Sequence, residues 1–370
     1  MTVVIGILGL GFLVFFHELG HFIAARLFGV KVEAFSIGMG PVLAHKTFRD
    51  TDYRISLVPL GGYCSMKGEQ EFREALDKNL KSIESSEDSF YGIHPLKRLV
   101  IAFAGPFFNM LFGILAFTII AMIGYSYYSA GTKVSMADDI YPEMTSAAHR
   151  AEMQSGDTIL SINGTSVNDF SEIAMLVSTH PDEDLEISFD RDGTIMTTIV
   201  HSELDKETGS GKIGIVSDKD SVVERRHEGK SFMPAVKEGV LQTFNVVVIT
   251  IKSIRILFKG INVSNAVSGP VRITSMLGQT VKQGFEAGFK SGVISTLEFL
   301  SLISISLFLT NLLPIPVLDG GLILFAFIQS VAGKKPSPKL LYYIQLAGVG
   351  IIALLMMVAL FGDILFILKK

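Results

Sequence analysis

Four stretches of the chain are apolar at nearly every position: residues 3–27, 99–124, 293–313 and 342–368. Each reaches the roughly 20 residues needed to cross about 30 Å of hydrocarbon, so the pattern predicts four transmembrane helices. Between the second and third the pattern turns mixed and polar. There "TILSI" sits between the turn signals "SGD" and "NGT", and "DLEISFDRDGTIMTTIVH" (184–201) reads as a hairpin turning at Asp192–Gly193. A small β-rich domain over 132–217 follows. Between the first two spans, "DYRISLVPL" (52–60) alternates with period 2, placing Tyr53, Ile55 and Leu57 on one face and Arg54, Ser56 and Val58 on the other. Pro59 limits its pairing on one side, as at a sheet edge. Residues 236–258 are ambiguous. Leu241, Phe244, Val248, Ile251, Ile254 and Phe258 recur at helical spacing, while Lys252 and Arg255 interrupt the apolar run. That suits an amphipathic helix on the domain, a helix lying in the membrane interface, or a fifth span.

The fold class is therefore an α-helical polytopic membrane protein with a small inserted β-rich domain and a membrane-associated β-hairpin. Its map is 1–30, first span; 31–98, inner loop with the hairpin; 99–124, second span; 132–217, β-rich domain; 218–292, amphipathic linker; 293–333, third span with a following loop and helix; and 342–368, last span.

Composition agrees: 49% of the 370 residues are hydrophobic and the mean hydropathy is +0.45. The formal charge of −4 offers no basic surface for nucleic acid. The distribution of basic residues sets the orientation. Arg26, Lys31, Lys46, Arg49, Arg54, Lys67, Lys97 and Arg98 lie between spans one and two, and Lys334, Lys335 and Lys339 between spans three and four. Both loops are expected to be cytoplasmic and both termini periplasmic, although Lys369 and Lys370 point the other way. The opening "MTVVIGILGLGF" lacks the basic n-region of a signal peptide and is expected to remain as the first span. With no Trp, Tyr125, Tyr127, Tyr128, Tyr342 and Tyr343 are the candidate interfacial anchors.

The first span also carries "FFHELGHFIAAR". A charge at the bilayer centre costs at least about 2.5 kcal/mol, so ionisable groups there are usually functional. On a helix, His17 and His21 differ by about 40° in azimuth and can reach one metal ion, with Glu18 beside them to take a proton from a metal-bound water. This is the H-E-x-x-H arrangement of zinc hydrolases. Cys64 is the only cysteine, which excludes a cysteine-based zinc site. A catalytic zinc usually takes three protein ligands. Span two offers only Asn109; Glu298 sits at the outer end of span three; Asp319, in "NLLPIPVLDGG", sits at the level of His17, about 21 Å along the first helix from Val3. Asp319 is either the third ligand or the N-cap of the helix that follows. Asn311 could bond a substrate carbonyl or an oxyanion, or simply close its own helix.

"HELGH" in span one together with "NLLPIPVLDGG" in span three closely resembles the site-2 protease family of intramembrane zinc proteases. "FSIGMGPVL", "YRISLVPLGGYCSMKGE", "AGPFFN" and "VSGPVRI" resemble its bacterial branch that includes the regulator-of-sigma-E protease. The resemblance implies that His17, His21 and Asp319 bind zinc, that Glu18 is the catalytic base, and that the substrates are membrane-spanning segments of single-pass proteins in the bacterial inner membrane, cut near the cytoplasmic side. The β-rich insert resembles a circularly permuted PDZ domain through "SGDTILSINGTSV", with Ala151-Glu152-Met153 where such domains usually have Ala-Gly-Leu. Members of that bacterial branch usually carry two such domains in tandem; this chain has room for one. By the same resemblance a peptide groove would run along "KIGIV" (212–216), with Gly214 and Ile215 contacting the ligand. Unwound substrate would pair with the strand bearing Arg54, Ile55, Ser56 and Leu57. The competing readings are a metal-binding scaffold without catalysis and a transporter, the latter disfavoured by the lack of an internal repeat.

Overall fold

The computed structural model describes residues 2–218, 221–256, 269–333 and 337–368. Phe258 of the ambiguous segment, Lys334 and Lys335 of the second inner loop, and the two terminal lysines lie outside them. Two compact units emerge, one of residues 1–123, 230–247 and 268–370, the other of 124–229 with 248–267.

The first unit opens with helix α1 (Thr2–Leu27), two long strands β1 (Val32–Phe48) and β2 (Thr51–Met66), a short helix α2 (Glu69–Asp77) and helix α3 (Pro95–Ile123). The helix α3 begins a turn before its apolar run, because Pro95 has no N–H to lose at the first helical position and fixes a helical φ. In α1 and α3 small residues let backbones touch. A Cβ on Gly20 would lie 2.3 Å from the Ala104 carbonyl oxygen, so these two helices cross at glycine distance.

The strands β1 and β2 form a doubled sheet. Residues 42–48 pair with 51–56 around the tight turn at Arg49 and Asp50. Beyond it, Ala34–Ile37 runs in rising register beside Asp52–Ile55, and the same four residues pair on their other side with Ser65–Gly62. The order across the sheet is thus 42–48, 51–58, 34–37, 62–66. The bends that permit this fall at Gly38, Gly40 and Gly61, with φ of 88°, 84° and 111°, a region L-side chains rarely enter. This corrects the expected edge at 52–60. Residues 52–55 are paired on both sides, Ser56 is buried against the Ser36 hydroxyl at 3.0 Å, and 62–66 is an outer strand without a second partner among the described residues.

The second unit contains β3 (Tyr125–Ser129), β4 (Val134–Met136), helical turns α4 (Ala137–Ile140) and α5 (Ala147–Arg150), β5 (Thr158–Ile162), β6 (Thr165–Ser166), helix α6 (Phe170–Ser178), β7 (Glu183–Arg191), β8 (Thr194–Leu204), β9 (Gly211–Lys212), β10 (Ile215–Ser217) and β11 (Val223–His227). A five-stranded antiparallel sheet runs β6-β5-β7-β8-β9. Its inner face buries Ile159, Ile162, Leu185, Ile187, Phe189 and Val200 under Ile173 of α6, each worth about 1.5–3 kcal/mol of transfer free energy. The β7–β8 turn places Asp192 and Gly193 at φ of 49° and 85°, as a two-residue hairpin of this type requires. Glu152 also has positive φ, 65°, at the position where the resembling domains have glycine. The expected strand "KIGIV" is broken: Ile213 is a core residue, and Gly214 turns with φ of 72° because a Cβ there would strike Ser146 Cα at 2.4 Å. The missing side chain is explained within the domain. Tyr125 and Tyr127 also have partners within the domain. They stack on His227 across the β3–β11 pair, and Tyr127 donates to Asp169 at 2.5 Å.

Helix α7 (Phe232–Ile256) follows. Within the first unit its small residues face α3: a Cβ on Gly239 would meet Thr118 Oγ1 at 2.3 Å, and Thr243 is fully buried. The stripe of Leu241, Phe244, Val248 and Ile251 is exposed. Then come helices α8 (Pro270–Glu286), α9 (Phe289–Asn311), α10 (Asp319–Ala332) and α11 (Pro338–Leu368). Among the described residues four helices are long and apolar enough to cross a membrane: Val3–Leu27, Pro95–Ile123, Phe289–Asn311 and Pro338–Ile364. The last is held in part by a buried carboxylate. Asp363 is buried, and its carboxylate accepts the backbone N–H groups of Gly269, Val271 and Arg272 at 3.1, 2.9 and 3.2 Å, which serves as the missing cap of α8.

Candidate metal centre

His17 and His21 lie one turn apart on the face of α1 that meets α3, and both are buried. The facing residues on α3 are also one turn apart. Gly105 lies against the His21 ring so closely that a Cβ there would come within 2.3 Å of Nε2. Asn109 is fully buried beside His17, its side-chain nitrogen 3.1 Å from His17 Nδ1. Pro106 between them cannot donate to the carbonyl of Ala102. The neighbouring Ile101 carbonyl lies 2.8 Å from His21 Nδ1. With that ring nitrogen donating to Ile101, Nε2 of neutral His21 carries a lone pair.

The third component arrives from the far end of the chain. Helix α9 ends at Asn311, and the loop "LLPIPVL" turns into α10 through Val317, whose φ of 89° is a strained value for a β-branched residue. Gly320 and Gly321 pack onto the loop at distances no side chain would fit, with Cβ positions 2.2 Å from Leu313 O and 2.6 Å from Ile315 O. Asp319 is the first residue of α10, where the helix dipole favours a carboxylate, yet it makes no capping bond. Instead its Oδ2 lies 3.1 Å from His17 Nε2 and its Oδ1 3.3 Å from His21 Nε2, while the two Nε2 atoms are 3.2 Å apart. Candidate ligand atoms of these three residues all lie within 4.8 Å of one another.

This donor set fits zinc. Two imidazole nitrogens and a carboxylate oxygen converge, buried, with one histidine's tautomer fixed from behind, as in three-ligand catalytic sites. Glu18 is half-buried and lines the same cavity of about 680 Å³, as do Asn311 and, from the free sheet edge, Tyr63 and Cys64. A Cβ placed on Gly62 would come into ordinary contact with Glu18 Cγ, at 3.6 Å. Arg54, Ile55, Ser56 and Leu57 do not line the cavity. Ile55 and Leu57 are exposed on the sheet, and Arg54 is engaged by Asp52 at 2.7 Å and by the Tyr63 hydroxyl at 3.0 Å. Hydrogen bonds from Arg54 and then His45 hold the Asp52 carboxyl below the usual range. Gly214 and Ile215 belong to the other unit. Sequence reasoning missed Gly105, the Ile101 carbonyl and the 62–66 edge; the "AGPFFN" stretch was the available signal for the first.

A His-His-Asp centre with an adjacent glutamate, built where membrane-length helices meet, defines a membrane zinc hydrolase. The sequence model of peptidase family M50 matches residues 5–355. Three relatives, each named "Putative zinc metalloprotease", align across almost the whole chain. The one from Treponema pallidum is 34% identical over 99% of both chains, that from Campylobacter jejuni 34% identical over 97% of this chain and 92% of its own, and that from Clostridium acetobutylicum 30% identical over 99% and 98%. The chain belongs to peptidase family M50 and is a zinc metalloprotease. The Treponema alignment extends over 447 positions, longer than this chain, whereas the other two span 368, so relatives exist both with and without additional inserted residues.

Proposed function

We propose that the protein is an intramembrane endopeptidase of the site-2 type, cutting transmembrane segments of single-pass proteins such as anti-sigma factors or remnant signal peptides. The observation that carries this reading is the convergence of His17, His21 and Asp319 beside Glu18 among helices apolar enough to lie in a bilayer. His17, His21 and Asp319 would hold the zinc; when bound, the ion supplies Lewis acidity that brings the pKa of water toward 7. Glu18 takes the proton of the attacking water as its oxygen adds to the peptide carbon, and hands that proton to the amine as the C–N bond breaks. Asn311 donates its amide N–H to the carbonyl oxygen as charge develops there.

A membrane helix has its backbone groups satisfied internally, so it must unwind before it can be cut. Among the described residues the strand 62–66 has no partner on its other side, and a Cβ on its Gly62 would reach Glu18 Cγ at 3.6 Å. Pairing with that edge would keep freed substrate groups satisfied at the cutting point. The basic inner loops support an inner-membrane protein with periplasmic termini and a site toward the cytoplasmic side.

The test is cleavage of a panel of single-span substrates in lipid vesicles by wild type and Glu18→Gln. We expect the variant to keep one equivalent of zinc and to lose at least about 10²-fold in turnover, the usual contribution of a general base. Near-wild-type turnover by Glu18→Gln removes the assignment. Absence of cleavage by wild type, with zinc bound, supports the non-catalytic scaffold instead.

A further inference from the structure

Asn109 is a buried polar residue of α3 with an unmet hydrogen-bonding need. It is fully buried, its side-chain oxygen has no partner, and its side-chain nitrogen is placed 3.1 Å from His17 Nδ1. Leaving a buried polar atom unsatisfied is destabilising. His17 turns its other nitrogen, Nε2, toward Asp319 and His21. A neutral imidazole that offers a lone pair from Nε2 carries its proton on Nδ1. That proton needs an acceptor, and an amide nitrogen cannot be one. The oxygen and nitrogen of an amide are alike in shape, and their assignment follows from the bonds they make. Either orientation leaves one amide atom unpaired, but only the one with the oxygen toward His17 lets this histidine serve as a ligand.

We propose that Asn109 is the positioning residue of His17: its side-chain carbonyl accepts the Nδ1–H and so fixes the tautomer and ring plane in which Nε2 faces the metal. This rests on the reading of His17 as a ligand. The two histidines are then held from behind by one helix, His21 by the Ile101 carbonyl and His17 by the Asn109 side chain two turns on. Asn109 is itself pinned, since the Ser304 hydroxyl on α9 donates to its backbone carbonyl at 2.9 Å. The mundane alternative is a polar bond that merely joins α1 to α3.

The two roles separate in the full-length protein through Asn109→Leu and Asn109→Asp, read by zinc affinity in competition with a chelator and by the absorption spectrum of the cobalt(II)-substituted protein. Leucine removes the acceptor; aspartate keeps an oxygen able to take the Nδ1–H. The expected result is a 10–100-fold weaker zinc affinity and altered cobalt bands for Asn109→Leu, the usual effect of losing such a support. Asn109→Asp should hold zinc as tightly as wild type or tighter. Asn109→Ala replaces the leucine variant if that one does not fold. Wild-type zinc affinity with an unchanged cobalt spectrum in the leucine or alanine variant overturns the proposal. So does an aspartate variant that loses zinc as fully as leucine. A separate control, His17→Ala, isolates the underlying reading: if zinc content is indifferent to that change, His17 is not a ligand and the proposal falls with it.

Discussion

At the scale of single residues, the centre depends as much on what is small as on what binds. Gly105 has no room for even a methyl group, because the Cβ would sit on the His21 imidazole. Gly105→Ala is therefore expected to push His21 off the metal and to lower zinc content and cleavage together. Metal analysis of the purified variant checks it; a full equivalent of zinc would mean that the helices part without disturbing the ring. Asp363 acts differently. With its carboxylate removed, three backbone N–H groups are left without their acceptor in an apolar setting. Asp363→Ala should lower stability by roughly 1–3 kcal/mol, read as a depressed melting temperature in detergent, while zinc stays bound. The histidines, the glutamate and the aspartate of the centre were legible in sequence, because ionisable groups inside apolar runs stand out. The roles of Gly105, Asn109 and Asp363 were not, although "AGPFFN" marked the first two. A glycine or asparagine in a helix carries no sign of its neighbour, and Asp363 lies 94 residues from the Gly269 amide it binds.

At the scale of elements, the membrane-length helices were readable from composition alone, since length and hydropathy decide them. The doubled sheet was not. Alternation along 52–60 gave the strand and its faces but not its neighbours, which depend on where glycines with positive φ fold β1 and β2 back on themselves. The consequence is a changed expectation for mutants. Ile55→Pro breaks a strand paired on both sides and should misfold the sheet. Proline placed in turn at Tyr63, Cys64 and Ser65 should act by alternation instead, because only every second N–H points away from the paired neighbour. One parity should abolish cleavage with zinc intact and the other should disturb the sheet, while Cys64→Ala stays close to wild type. Cleavage that survives all three prolines, with the protein folded, would release this edge from substrate pairing. The apolar stripe on α7 lies opposite the Gly239 and Thr243 contacts with α3, which is why periodicity alone left that helix ambiguous.

At the scale of the whole molecule, the β-rich unit is a separable insert. Val134 and Ser217 are paired partners in β4 and β10, so the two ends of the stretch between them are neighbours. Deleting 135–216 and joining the ends by a short linker should leave zinc in place and raise cleavage of substrates that keep a bulky outer domain. Comparing substrates with and without that domain checks it. Loss of cleavage on already trimmed substrates, in a folded and zinc-loaded protein, would show that the insert does more than filter.

The position of Asp319 has a bearing on biosynthesis. A ribosome delivers His17, Glu18 and His21 almost at once and Asp319 only about 300 residues later. At typical elongation rates of about 5–20 residues per second, that gap lasts roughly 15–60 s. Throughout it the nascent chain holds a base and two imidazoles but no third ligand, so it enters the membrane as an inactive precursor. Completion of the donor set therefore waits for Asp319, after every other residue of the centre has been made.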